Sequence, residues 1–366
     1  MLLKLNELSK KMVMKRHFKH IGLAVVLGTL VAAPVYAGNE DRAGSAGATE
    51  LLINPWARSS AWANSSVACV KGVEGIFMNV AGLAFTQGTD VSFVRSSWLG
   101  GSGININSVA LGQKVGEKNV LGISFTSMNF GEIPITTVDI PEGGIGTFTP
   151  RSIVLGLSYA REFSNSIYGG VSVKVVNQSI NNLKASGVAI DAGIQYVAGD
   201  RDEIKFGITL KNVGPPMQFA GDGLSFSVTN PIYGSTYNID QKTARFEIPS
   251  LVAIGASYDF QFGEKHKLTT AFAYISNSFT RDQYGLGLEY TWDLGAAQFI
   301  ARAGYLYEKG ILNAEDRATA FTGPTAGASV AVPLGKSGSL ASFDYAYRAT
   351  NPFNGVHSFG IRLNIQ

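Results

Sequence analysis

The stretch DQYGLGLEYTWDLGAAQFIARAGYLYE, residues 282–308, decides how the rest of the chain is read. Tyr284, Leu286, Leu288, Tyr290 and Trp292 fall on one parity, and Gly285, Gly287, Glu289, Thr291 and Asp293 on the other. A period of two with unlike faces is the pattern of a β-strand. After Asp293, Leu294 and Gly295 the alternation resumes, with Phe299, Ala301, Ala303, Tyr305 and Tyr307 set against Arg302, Gly304 and Glu308. The two runs predict a β-hairpin.

The chemistry of the two faces then selects the class. One face is large and aromatic, while the other mixes glycine and small residues with charges of both signs. A soluble sandwich needs no such glycine on its polar face. In a closed membrane barrel the apolar side chains meet lipid and the small or polar ones fill the lumen. Tyr284, Trp292, Tyr305 and Tyr307 lie near strand ends, where interfacial aromatic girdles belong. Leu286 is therefore expected to face lipid, where arginine would cost about 2 to 4 kcal/mol. Gly287 is expected to face the lumen and to tolerate serine.

Working outward, fourteen such runs appear, at 90–97, 104–115, 119–130, 151–163, 167–180, 187–197 and 203–213, then 248–260, 266–279, 282–293, 297–308, 325–334, 340–350 and 356–365. Connections after the even strands are short: 116–118, 164–166, 198–202, 261–265, 294–296 and 335–339. Most of the long ones, 131–150, 214–247 and 309–324, follow odd strands. Segregation by parity suits an outer-membrane barrel, with tight periplasmic turns and longer outer loops. The expected fold is all-β: a transmembrane antiparallel barrel of about 14 strands over residues 90–366, preceded by a hatch or plug at 38–89. Inner-wall charges at Lys174, Asp191, Lys205, Lys211, Glu289, Arg302, Glu308, Asp344, Arg348 and Arg362 suggest ion pairs around a plug.

Residues 1–37 read as a cleaved signal peptide: Lys10, Lys11, Lys15, Arg16 and Lys19 precede an apolar run at 21–33, and Val35-Tyr36-Ala37 supplies the cleavage site. Of the chain's 30 basic and 27 acidic residues, that segment holds mostly basic ones, so the mature charge is about −2. No basic stripe argues for nucleic acid. No run of 18 apolar residues follows the signal, which excludes helical spans. Localisation in the outer membrane, in contact with its lipid, is the expectation.

Two places resemble a known family. Residues 54–84, with Asn54-Pro55-Trp56-Ala57-Arg58 and then Phe77-Met78-Asn79-Val80-Ala81-Gly82, resemble the N-terminal signature of the PorV/PorQ proteins. These are outer-membrane barrels of type IX secretion in Bacteroidetes, related in fold to the FadL long-chain fatty acid transporters. Val80 stands where both groups commonly have proline. The last strand, with Ser358, Gly360, Leu363 and Ile365, is similar to the β-signal read by barrel-insertion machinery, although it ends on Gln366 rather than an aromatic. The resemblance implies fourteen strands and an N-terminal hatch. It also implies a protein-binding shuttle or scaffold whose partners are type IX translocon or attachment-complex proteins and the C-terminal domains of secreted cargo. The alternative it carries is a FadL-like transporter of a hydrophobic small molecule.

Catalysis is not expected. Beyond the signal only His266 and His357 remain, no Ser-His-Asp set or metal cluster assembles, and no cofactor is implied. The glycine runs at 100–103 and 143–146 lack the lysine and helix of a phosphate cradle. Cys69 reads as a packed small residue. The outer loops carry apolar candidates for a partner surface: Ile133, Pro134, Ile135 and Phe148 in one, Pro215, Pro216, Met217 and Phe219 in the other.

Overall fold

The computed structural model describes residues 40–335 and 338–366. The signal peptide expected at 1–37 lies outside them. Fourteen antiparallel strands form the wall: Thr89–Trp98, Ile104–Val115, Asn119–Asn129, Arg151–Ser164, Ile167–Ile180, Leu183–Ala198 and Ile204–Val213, then Leu251–Phe262, His266–Asn277, Gln283–Asp293, Gln298–Glu308, Phe321–Leu334, Ser339–Thr350 and Val356–Ile365. Each pairs with its neighbours in sequence, and the last returns to the first from Thr89↔Ile365 to Ser97↔His357. The barrel is closed, so no strand edge is left unpaired in the wall.

Parity sorts the side chains as the sequence pattern requires. Leu286, Leu288, Tyr290 and Trp292 point outward and are exposed, whereas Arg302 and Glu308 are buried. Exposed apolar residues recur along thirteen of the fourteen wall strands, and aromatic side chains gather in two belts toward the strand ends. Tyr258–Phe260 and Trp292–Phe299 contacts lie toward the short-turn end. Tyr274, Tyr284 and Tyr307 form a chain of rings toward the long-loop end. An exposed apolar band between aromatic belts is the outer surface of a transmembrane barrel.

Residues 40–88 run through the lumen as short helical turns, at Ala57–Ser60, Ser65–Ala68, Gly75–Met78 and Val80–Phe85. The inner-wall glycines are where this segment touches the wall. A Cβ on Gly304 would sit 2.6 Å from the Trp62 carbonyl carbon, one on Gly207 2.5 Å from the Val67 oxygen, and one on Gly170 2.8 Å from the Val80 oxygen. The small face of each strand is thus a seat for backbone, and its glycines admit the close approach. This corrects the expectation for Gly287. Its Cβ would lie 2.2 Å from the Ser65 hydroxyl and 2.6 Å from the Trp62 oxygen, so a side chain there meets the plug and not open lumen.

Two strands begin four residues earlier than expected. The sixth begins at Leu183, four residues early, and joins the fifth through Asn181 and Asn182 alone. Its inward positions there are Ala185 and Gly187, too small to register as an apolar face. The twelfth begins at Phe321, and its register against the thirteenth shifts between Phe321 and Thr325. Pro324, which cannot donate to the ladder, sits in that irregularity.

Candidate functional site

Two cavities in the lumen lie on either side of the 57–70 stretch. The upper, about 180 Å³, lies toward the long-loop end, and Ser60, Ala63, Asn64 and Val67 form its floor. Its walls include Phe77, Met78, Leu251, Ile275, Phe321 and Trp98. The lower, about 130 Å³, faces the short turns and is polar, with Arg58, Lys71, Glu74, Lys205, Asp259 and Glu289 around it. Ser59, Trp62, Ser66 and Cys69, neighbours of the floor residues, line this lower side.

Side-chain amides fix the dividing stretch. Asn54 accepts from the Trp56 amide at 2.9 Å and donates to Asn64 Oδ1 at 2.7 Å. Asn79 accepts from the Ala81 amide at 3.2 Å, capping the turn at Val80–Phe85. Its amide nitrogen donates to the Val67 oxygen at 2.9 Å and to the Ile194 oxygen in the sixth strand at 3.1 Å. One side chain therefore ties two plug turns to the wall. Gly82 packs on Val70, where a Cβ would lie 2.5 Å from the carbonyl oxygen. Ala81 is fully buried beside it.

Arg58 is half-buried on the helix Ala57–Ser60 and reaches the lower cavity. Burial opposes its charge, but Glu74, Asp344, Glu289 and Asp90 outweigh it and hold the guanidinium above the ordinary arginine value. Glu74 accepts from the Ser59 amide at 3.1 Å. Burial raises its carboxyl above the usual range despite Arg58. Burial also pushes the Cys69 thiol up to about 12, which leaves it a neutral packing group.

Four wall cations are neutralised across the strands: Lys174 by Asp191 at 2.8 Å, Lys205 by Asp259 at 2.6 Å, Arg302 by Glu289 at 2.7 Å and Arg362 by Asp90 at 2.6 Å. Asp90 also accepts from the Val73 amide at 3.0 Å, joining wall to plug. Lys211 and Arg348 differ. Both line the upper cavity. The Lys211 ammonium stands 3.4 Å over the Phe77 ring, and the Arg348 guanidinium lies 5.1 Å from Trp98 and 5.3 Å from Phe321. These two were legible as inner-wall charges; their aromatic partners were not.

The loop residues named from sequence divide. Ile133, Pro134, Pro215 and Pro216 are exposed, and Ile135, Phe148 and Phe219 are half-buried. Met217 is not on a free surface. It is buried among Ala48, Leu51, Val176, Ala185, Ala189 and Ile248, with its backbone bonded both ways to Phe246. The loop folds inward because Ala185 and Gly187 leave a hollow that a thioether fills. At the last strand, Ser358 and Gly360 face inward, the former bonded to Ser96 Oγ at 2.6 Å, and Leu363 and Ile365 face outward. His266 and His357 each meet a tyrosine hydroxyl, of Tyr290 and Tyr345, at 2.8 and 2.9 Å.

Among solved structures, this barrel is similar to the CymD monoaromatic hydrocarbon channel, with a TM-score of 0.53 and 13% identity over 85% of this chain and 97% of that one. The Ralstonia pickettii toluene transporter TbuX gives 0.53 and 13% over the same shares. A Pseudomonas aeruginosa FadL homologue gives 0.51 and 11%, over 86% and 98%. At such identities the likeness is one of fold: a FadL-like fourteen-stranded barrel with an N-terminal segment. No family profile matches the chain, and neither does any curated protein.

Proposed function

We propose that the chain carries small hydrophobic molecules across an outer membrane. The upper cavity supports this reading most. It lies inside the lumen, lined by Phe77, Met78, Leu251 and Phe321, and rests on the plug that a solute would have to pass. An engineered apolar cavity of about 150 Å³ takes up benzene, so about 180 Å³ is room for one small hydrophobic molecule. The belted apolar wall suits an outer membrane, where the lipid-facing strands would sit, and the structures sharing the fold are channels and transporters.

The test is uptake of radiolabelled toluene by cells with an intact lipopolysaccharide outer membrane and no hydrocarbon channel of their own. Expression should raise the initial rate. Val67→Trp, which fills the cavity from its floor, should abolish the gain while the barrel stays folded. An equal rate with and without the chain would overturn the reading.

A protein-binding role in type IX secretion, implied by the resemblance at 54–84, keeps one observation in its favour. The outer loop raises a hairpin, Ser225–Thr229 paired with Thr236–Asp240, that lies on no wall strand. Phe226, Val228, Tyr237 and Ile239 share one exposed face of it. Capture of a type IX cargo C-terminal domain, lost with Phe226→Ser and Tyr237→Ser, would favour that role. Capture unchanged by both substitutions would remove its site.

A further inference from the structure

The six inner-wall cations named from the sequence follow a rule with two exceptions, and both exceptions face the same space. Lys174, Lys205, Arg302 and Arg362 each hold a carboxylate within 2.8 Å. A charge withdrawn from water needs such a partner. Among the described residues, Lys211 and Arg348 have none. Asp191, in the strand beside Lys211, is engaged by Lys174. Arg348 gives one hydrogen bond to the Asn54 oxygen at 3.2 Å, and its Nε is buried with no acceptor.

Both side chains line the upper cavity, and no Asp or Glu lines it with them; its other polar groups are neutral amides and hydroxyls such as Asn64, Asn277, Gln283 and Thr325. The aromatic faces of Phe77, Trp98 and Phe321 hold the cations in place but do not neutralise them. Lys211 and Arg348 stand on the seventh and thirteenth strands, on opposite sides of the lumen.

Resting on the import reading above, we infer that the upper cavity takes a compact apolar acid, its hydrocarbon body against Phe77, Met78 and Phe321 and its carboxylate on Arg348 or Lys211. The volume of about 180 Å³ sets the size, that of one aromatic ring with a short substituent. A carboxylate there would supply the acceptor that Arg348 Nε lacks, and arginine is suited to grip it through two N–H groups.

The probes are benzoate, benzamide and toluene, similar in shape but only the first charged. Equilibrium dialysis of each is run against the full chain in lipid nanodiscs, with empty discs subtracted. Benzoate should bind about tenfold or more tighter than benzamide, and the double substitution Lys211→Met with Arg348→Met should erase that preference while toluene binding stays. Heat-modifiable migration reports whether each variant is folded. Lys211→Met alone, which removes no hydrogen bond, should reduce the preference if the double variant does not fold. Equal affinity for benzoate and benzamide in the unaltered protein, or a preference that survives both substitutions, overturns the inference. If toluene also fails to bind, the import reading falls with it; if toluene binds and is taken up without a preference for benzoate, only the acid specificity falls.

Discussion

Gly304→Ala adds one carbon to the inner wall, and its consequence can be worked out from distances. The new Cβ would lie 2.6 Å from the Trp62 carbonyl carbon, 2.8 Å from the Ala63 nitrogen and 2.8 Å from the Trp62 Cα. All three are backbone atoms of the plug, so no side chain can swing aside. Ordinary contact begins near 3.4 Å, and the plug must retreat by about 0.5 Å or more. Well-packed interiors resist such insertions at about 1 to 3 kcal/mol. The wall itself should stay intact, because Gly304 pairs with Gly287 and the ladder needs no side chain there. The assay is twofold: the urea midpoint of the folded barrel in lipid, and the rate at which trypsin cuts at Arg58 and Lys71. A lowered midpoint with faster cutting is expected. A wild-type midpoint together with wild-type resistance would refute the claim that inner-wall glycines seat the plug.

Three further outcomes follow from the same geometry. Leu286→Arg, on the lipid-facing parity, should destabilise the barrel by about 2 to 4 kcal/mol in urea titrations, and no effect would mean the wall faces the other way. Arg302→Met should cost about 3 to 5 kcal/mol by stranding Glu289, and the added change Glu289→Leu should recover most of it; a purely additive double variant would deny that the pair is a unit. The Cys69 thiol, pushed up to about 12, stays protonated at pH 8, so iodoacetamide should leave it unmodified until the protein is unfolded.

The wall was legible because lipid and lumen impose opposite chemistry on alternate residues, and all fourteen strands betray it, as in Leu286 against Gly287. Strand ends were less so. Lys184 to Ser186 carries no large apolar side chain, and the extension shows only once Met217 is seen filling the space beside Ala185. The charges were visible on the inner face, but their pairing depends on register and shear across the sheet. Asp259 reaches Lys205 from one strand and Asp90 reaches Arg362 across the closing seam, whereas among the described residues no carboxylate comes within ion-pair distance of Lys211 or Arg348. The site was therefore half readable. Phe77 and Met78 stood out by resemblance, while Trp98 fell just past the first expected run and Phe321 in the connection 309–324, so neither was read as part of the site that both line.

The most direct measurement is a crystal structure of the protein soaked with bromobenzene, using the anomalous signal of bromine to locate the ring. The expected result is a peak in the upper cavity among Phe77, Met78, Leu251 and Phe321. Bromine found only along the lipid-facing wall, with the cavity empty of it, would contradict a transport path over the plug.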